Sequence, residues 1–209
     1  MLDGSVTRQQ HWGPERNWVL SELWHSWSAG DSADPDAYRR SLEDRLRASA
    51  TDSGLDLGWL RRRHVFMRVL HRLAANQPDE WVLKGGFAVE LRRPGLARTT
   101  LDIDLTLRQR MAGDVVESRV RAPLVRALSA DVDGDFFQFA VGPGTPLAND
   151  THGRAAWRFT VDSILAGRRS SSSIWILSSD PRSLSASRHY VACRHCCAPM
   201  MRRNGRRFR

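Results

Sequence analysis

The order in which hydrophobic periodicities follow one another along the 209 residues predicts a mixed α/β fold. Two stretches of helical spacing come first, and short β-rich runs then alternate with helical ones. The resulting order, α-α-β-α-β-α-β-β, implies a mixed sheet flanked by helices, α/β or α+β. A third observation marks where this pattern ends. Residues 168–209 hold ten arginines and a single acid, Asp180, so the whole net charge of +9 lies there, while residues 1–167 carry 22 basic and 22 acidic side chains. The three cysteines, Cys193, Cys196 and Cys197, fall in the same stretch. The chain is therefore divided into a Trp-rich leader over 1–34, expected to be mobile, a body over 35–168, and an irregular Ser/Arg-rich basic tail over 169–209, expected to be disordered.

The elements follow in order. In the leader, Glu15 to Trp27 has Trp18, Leu23 and Trp24 partly on one helical face. Asp34-Pro35-Asp36 opens the first helix of the body, because proline and acids suit a first turn, and Tyr38, Leu42 and Leu46 recur at spacing four. Gly54 and Gly58 punctuate. A second helix is predicted from about Leu60 to Ala75, with Leu60, Met67, Leu70 and Ala74 along one stripe and His64 and His71 beside it as packed or surface histidines. After Asn76-Gln77-Pro78-Asp79 the period changes. Trp81-Val82-Leu83 reads as a buried strand, Gly85-Gly86 ends it, and Phe87 to Arg92 is a short helix broken by Pro94-Gly95. From Thr99 to Leu107 a strand is expected, with Leu101, Ile103 and Leu105 on one face and Thr100, Asp102 and Asp104 on the other. Asp114 is a candidate cap for a helix bearing Val116, Val120, Leu124 and Leu128. Phe136 to Val141 is the next strand, Gly142-Pro143-Gly144 a turn, and Ala155 to Val161 a further strand.

Several function classes are set aside by composition. No run approaches eighteen apolar residues, so no membrane helix is expected, and the N-terminus lacks the basic-then-apolar order of a secretory signal. A cytoplasmic protein is the expectation. An isoelectric point near 10.9 describes the tail rather than a basic groove on the body, although such a tail binds RNA or DNA non-specifically at low salt. His189, Cys193, His195, Cys196 and Cys197 contain a His-x3-Cys-x2-Cys spacing, but no second cysteine pair completes a closed zinc site. Three clustered cysteines also make no disulfide framework.

The informative stretches are Trp81-Val82-Leu83-Lys84-Gly85-Gly86 and Arg98-Thr99-Thr100-Leu101-Asp102-Ile103-Asp104-Leu105. A strand ending in two glycines and entering a helix lets backbone N–H groups approach phosphate oxygens with no Cβ in the way. Aspartates at i and i+2 of a strand point to one face, where two carboxylates can share hard cations such as Mg²⁺. Two metals held this way activate a hydroxyl and neutralise a leaving pyrophosphate. Either motif alone is weak; a glycine pair is usually a turn and a D-x-D a solvated strand face. Their order and spacing together carry the reading.

The arrangement resembles the nucleotidyltransferase superfamily, and most closely the AbiEii toxin family, to which the MenT toxins belong. Its W-x-L-K-G-G-x-A stretch matches Trp81 to Ala88, and its R-x-T-x-D-I-D-L stretch matches Arg98 to Leu105. The helix ending His71-Arg72-Leu73 and the segment from Phe159 to Leu165-Ala166-Gly167-Arg168 are also similar. The resemblance implies a nucleotidyltransferase-like sheet, Mg²⁺-dependent transfer of a nucleotide from an NTP to an RNA acceptor such as tRNA, and a cognate antitoxin as partner, with no membrane involvement. By match of motif, Asp102 and Asp104 are catalytic and hold Mg²⁺, and Gly85 and Gly86 cradle the triphosphate. Lys84, Arg98 and Thr99 support the phosphates or the fold, with a scaffold salt bridge an equal alternative for Arg98.

The chain also departs from the family. The further acidic strand, the later lysine and the R-x-K-D-x-x-D-like helical segment are missing, and Lys84 is the only lysine. Asp162 could supply a third carboxylate or be an exposed strand-end residue. One choice of codons for Arg169 to Pro181, read from the last base of the Arg169 codon, spells Phe-Glu-Gln-Phe-His-Leu-Asp-Ile-Val-Val-Gly-Pro, an amphipathic strand bearing an acid. A frameshift near Arg169 is the corresponding expectation for the tail. The alternative to an active toxin is therefore a truncated, catalytically dead remnant that at most binds nucleotide, RNA or an antitoxin.

Overall fold

A computed structural model describes residues 34–77, 80–92, 100–107, 116–132, 134–148, 155–179 and 191–192. The described residues form a mixed α/β fold. Helix α1 spans Pro35–Ser53 and α2 Leu57–Asn76, followed by strand β1 (Trp81–Lys84), helix α3 (Gly85–Arg92), strand β2 (Asp102–Leu107) and helix α4 (Glu117–Ser129). Strands β3 (Phe137–Leu147), β4 (Ala156–Leu165), β5 (Arg168–Ser179) and β6 (Val191–Ala192) complete it. They make one six-stranded sheet of order β3-β4-β5-β2-β1-β6. All pairings are antiparallel except β2 with β5, which is parallel.

Local chemistry explains the helices. The Asp34 side chain accepts from the backbone N–H groups of Asp36 and Ala37, both at 3.1 Å, and caps α1, with Pro35 at its first position. Gly54 ends that helix at φ 67°, the left-handed conformation in which glycine carries no Cβ penalty. Tyr38, Leu42 and Leu46 are buried, as their spacing predicts. In α2 the apolar stripe is buried and both histidines are buried with it.

The core lies between one face of the sheet and α2, α3 and α4. Ile103, Leu105 and Leu107 of β2, Trp81 and Leu83 of β1, and Phe159 and Val161 of β4 meet Phe66, Leu70, Leu73, Phe87, Leu124 and Leu128 there. Phe66 and Phe87 pack edge to face at 5.1 Å. Trp81 is fully buried with its indole N–H donated to the Gln77 side chain at 2.7 Å, so its polar atom is satisfied inside the core. A smaller cluster of Tyr38, Leu42, Leu46, Leu60, Val65, Phe137 and Leu165 seats α1 on α2 and the outer strands.

Four expectations are corrected. Leu101 lies before β2 and is 66% exposed, so only Ile103 and Leu105 of that trio face the core. The N-cap of α4 is Val116, with no side-chain cap bond, rather than Asp114, which lies outside the described residues. Gly142-Pro143-Gly144 does not turn the chain. It is a bulge within β3, the register with β4 shifting between Val141 and Gly144. Arg121 donates to the carbonyls of Val141 and Gly142 at 2.6 and 3.0 Å, and the Gly144 N–H donates to Glu117 at 3.0 Å, so the bulged backbone finds its partners on α4. Finally, the body does not end at Arg168. Residues 169–179, assigned to the irregular tail, belong to β5, paired on one side with β4 and on the other with β2. The Glu15–Trp27 helix and the His/Cys cluster of the tail lie outside the described residues.

Candidate functional site

The motif residues meet at the junction of β1, α3 and β2. Antiparallel pairing sets Lys84 opposite Asp104, and cross-strand partners share a face of the sheet. Asp102 and Asp104 therefore stand beside Lys84 on the face opposite Ile103 and Leu105, all three half-buried where those two are fully buried. The chain then enters α3 through Gly85 at φ 69°, with Gly85 and Gly86 exposed.

Gly85 is required twice. Its backbone is left-handed, and a Cβ there would overlap the Asp104 carboxylate. The glycine turn and the D-x-D strand are thus in contact. Gly86 lies against Thr100, whose Cβ and Oγ1 would both sit 3.3 Å from an added Cβ. The Thr100 hydroxyl approaches the Asp102 carbonyl at 3.1 Å and its carboxylate Oδ1 at 3.3 Å, orienting the first acid of the pair. Burial raises the Asp104 carboxyl above its ordinary range; the neighbouring Asp102 charge raises it further, and Lys84 partly offsets both.

The donor set suits a hard divalent cation. Two carboxylates share a face, with Lys84 in register across from Asp104, and a cation would relieve their mutual repulsion. Among the described residues no group of three or more His, Cys, Asp or Glu side chains gathers at one point. Ligands beyond Asp102 and Asp104 would come from water and substrate phosphates, which Mg²⁺ commonly retains. Asp162 does not join the pair. Its register partner on β5 is Ser172, whereas that of Asp102 is Ile174, and its carboxylate faces Arg169 at 3.4 Å. Arg98 and Thr99 lie outside the described residues.

Two buried charge clusters were missed by the sequence reading, one on the helix that follows the glycine turn and one at the β3 edge of the sheet. Glu90, one turn after Gly86 on α3, meets Arg63 of α2 at 3.3 Å, and burial raises its carboxyl, with Arg63 partly offsetting that. Asp135, just before β3, is fully buried. It accepts from Arg72 at 2.7 and 2.5 Å and from the Phe137 N–H at 3.0 Å, with Arg68 at 3.7 Å. The only sequence signal was an arginine at positions 68 and 72, inside the otherwise apolar run of α2, where an unpaired charge is not tolerated.

A mixed sheet backed by helices on one face, with an acidic pair closed against a glycine strand–helix turn on the other, is a nucleotidyltransferase-like arrangement. The chain matches the family model of the nucleotidyl transferase AbiEii toxin, type IV toxin–antitoxin system, over residues 68–179. The match covers more than half of the chain, which belongs to that family. It takes in β1, the glycine turn, the D-x-D strand and all of β5. No curated protein matches the chain. No helix among the described residues is long and apolar enough to cross a membrane.

Proposed function

We propose that this chain transfers a nucleotidyl group from an NTP to an RNA acceptor of the tRNA type, as a MenT-like member of its family, with a cognate antitoxin as partner. The observation that carries the proposal is the contact between the Gly85 turn and the Asp104 carboxylate, with Lys84 in register beside it. Exposed backbone at Gly85 and Gly86 admits triphosphate oxygens, and the single lysine adds a positive charge at the same edge. Asp102, oriented by Thr100, and Asp104 would hold Mg²⁺, which supplies charge neutralisation for the transferring phosphoryl group. Arg98 and Thr99 are proposed as phosphate or scaffold contacts, by motif alone.

Incorporation of labelled NTP into total tRNA, with and without EDTA, tests this reading. Mg²⁺-dependent labelling that falls by roughly 10²–10³ in Asp102→Ala and Asp104→Ala is the expected result, the scale of losing one transition-state charge stabiliser. No labelling with any NTP would sink it.

A second reading has its own support. Asp162 is engaged with Arg169, leaving two carboxylates among the described residues where a third was sought. In this reading the chain is a frameshifted remnant that retains nucleotide, RNA or antitoxin binding without turnover. The gene sequence around codon 169 decides between them. Activity confined to a chain restored to the alternative frame supports the remnant, and robust labelling by the 209-residue chain excludes it.

A further inference from the structure

A concave site lies away from the acidic pair, between α1, α2 and the β4–β5 turn. It is a cleft of about 330 Å³ with an apolar floor that includes Leu42, Phe137 and Leu165. Five guanidinium groups rim it, from Arg39 and Arg47 of α1, Arg61 of α2, and Arg168 and Arg169 at the start of β5, against one lining carboxylate, Glu43.

That carboxylate is already committed. Arg61 donates to it from two nitrogens and Arg47 approaches at 3.0 Å, and the bonds from Arg61 hold the Glu43 carboxyl below its ordinary range. Arg47 also pairs with Asp44 at 3.5 Å, Arg39 with Asp36 at 3.4 Å and Arg169 with Asp162 at 3.4 Å, while Arg168 makes no ion pair among the described residues. The buried His64 at the back of the cleft is kept neutral, first by burial and then by the guanidinium groups of Arg68, Arg45 and Arg63. Five guanidinium groups thus meet four carboxylates, and the excess positive charge that the rim offers an external ligand is centred on Arg168, with the exposed pairs of Arg39, Arg47 and Arg169 open to exchange.

We infer that this cleft holds one nucleotide of a single-stranded RNA, its base on the apolar floor and its flanking phosphates on the arginine rim. Guanidinium forks match phosphate oxygens, and an apolar floor accepts a base face of any sequence. Arg39 and Arg47 lie eight positions apart on α1, about 12 Å of helix, which is more than one phosphate group spans. A volume near 330 Å³ is at the small end of ligand sites and too short for an amphipathic helix, which needs a groove several turns long.

The inference rests on RNA being the acceptor proposed above. Arg168 begins β5, and Ile174, six residues on, is the register partner of Asp102. The two sites are thus roughly 20 Å apart along the strand direction, a distance that a few nucleotides bridge.

Binding of a short fluorescent single-stranded RNA to the full chain, followed across salt concentrations without NTP, tests the inference. In the double variant Arg47→Ser, Arg168→Ser the affinity should fall about 10-fold and the salt slope should shrink by about 1.4, at ~0.7 per single-strand phosphate contact. The double variant Arg119→Ser, Arg126→Ser removes the same charge from α4 outside the cleft and should change affinity less than about 2-fold. RNA should also slow hydrogen exchange over residues 39–47 in the unsubstituted chain. Equal losses in both double variants would mean diffuse charge attraction and overturn the inference. So would an effect confined to adenosine monophosphate or to an acidic helical peptide. Because no NTP is present, failure of nucleotidyl transfer and failure of this cleft are read separately.

Discussion

Asp135, just before the edge strand β3, and Asp104, on the inner strand β2, are two carboxylates with opposite surroundings. Asp135 is fully enclosed and has a partner for each oxygen, from Arg72, Arg68 and the backbone of Phe137. Arg72 is held in turn by the Phe137 carbonyl at 2.8 Å and by the Phe139 ring at 4.9 Å. Asp104 is half open, repelled by Asp102, with Lys84 alone among the described residues to offset it and a glycine backbone pressed against it. The fold closes one charge against its own arginines and leaves the other under-compensated. A protein tolerates such a local imbalance where a ligand supplies the missing charge.

The largest expected effect breaks the closed member. Asp135→Ala strands two buried guanidinium groups and should cost about 3–5 kcal/mol in denaturant unfolding. Replacing the network together, as Asp135→Leu with Arg72→Met and Arg68→Leu, should recover much of that loss. A triple variant as unstable as the single one would show that the charges contribute more than their mutual neutralisation.

A paired substitution sharpens the open member. Gly54 and Gly85 share a left-handed backbone, φ 67° and 69°, but an added Cβ meets nothing at Gly54 and meets Asp104 at Gly85. Each alanine should cost about 1–2 kcal/mol for the backbone conformation alone. Only Gly85→Ala should also weaken Mg²⁺ binding, by about 10-fold or more, because the carboxylate must move. Calorimetric titration with Mg²⁺ separates the two, and equal metal affinity in both variants would remove Gly85 from the site.

The smallest effect concerns pH. The folded Asp104 carboxyl is raised, so its proton stabilises the folded state at low pH, and that contribution is lost as pH rises through the folded value. Without metal, stability should therefore decline from about pH 4 upward, by no more than about 1 kcal/mol from this group. Asp104→Asn should flatten the decline, and Mg²⁺ should oppose it in the unsubstituted chain by favouring the carboxylate. Thermal unfolding across pH, with and without Mg²⁺, checks both directions.

Much of the body was legible because its signals are local. The Asp34 cap, the Tyr38-Leu42-Leu46 spacing and the strand at Trp81 each depend on neighbours within a few residues. The candidate site was legible for a related reason. Lys84 and the two glycines are adjacent in sequence, and the aspartates alternate with core residues on one strand. The role of Trp81 needed the structure, since its N–H is satisfied by Gln77 across a break in the chain's direction.

The sequence by itself determined the helix–strand order, the position of the acidic pair opposite the core face, and the family to which the motifs point. Only the tertiary structure decided that Gly142-Pro143-Gly144 is a bulge held by Arg121 and Glu117, that residues 168–179 are a strand, and that Asp135 closes on Arg68 and Arg72. The division has a physical cause. Caps, turns and periodicity are set by contacts between residues near in sequence, whereas the Ser-rich β5 has no alternation of its own and is extended because β2 and β4 satisfy its backbone from both sides.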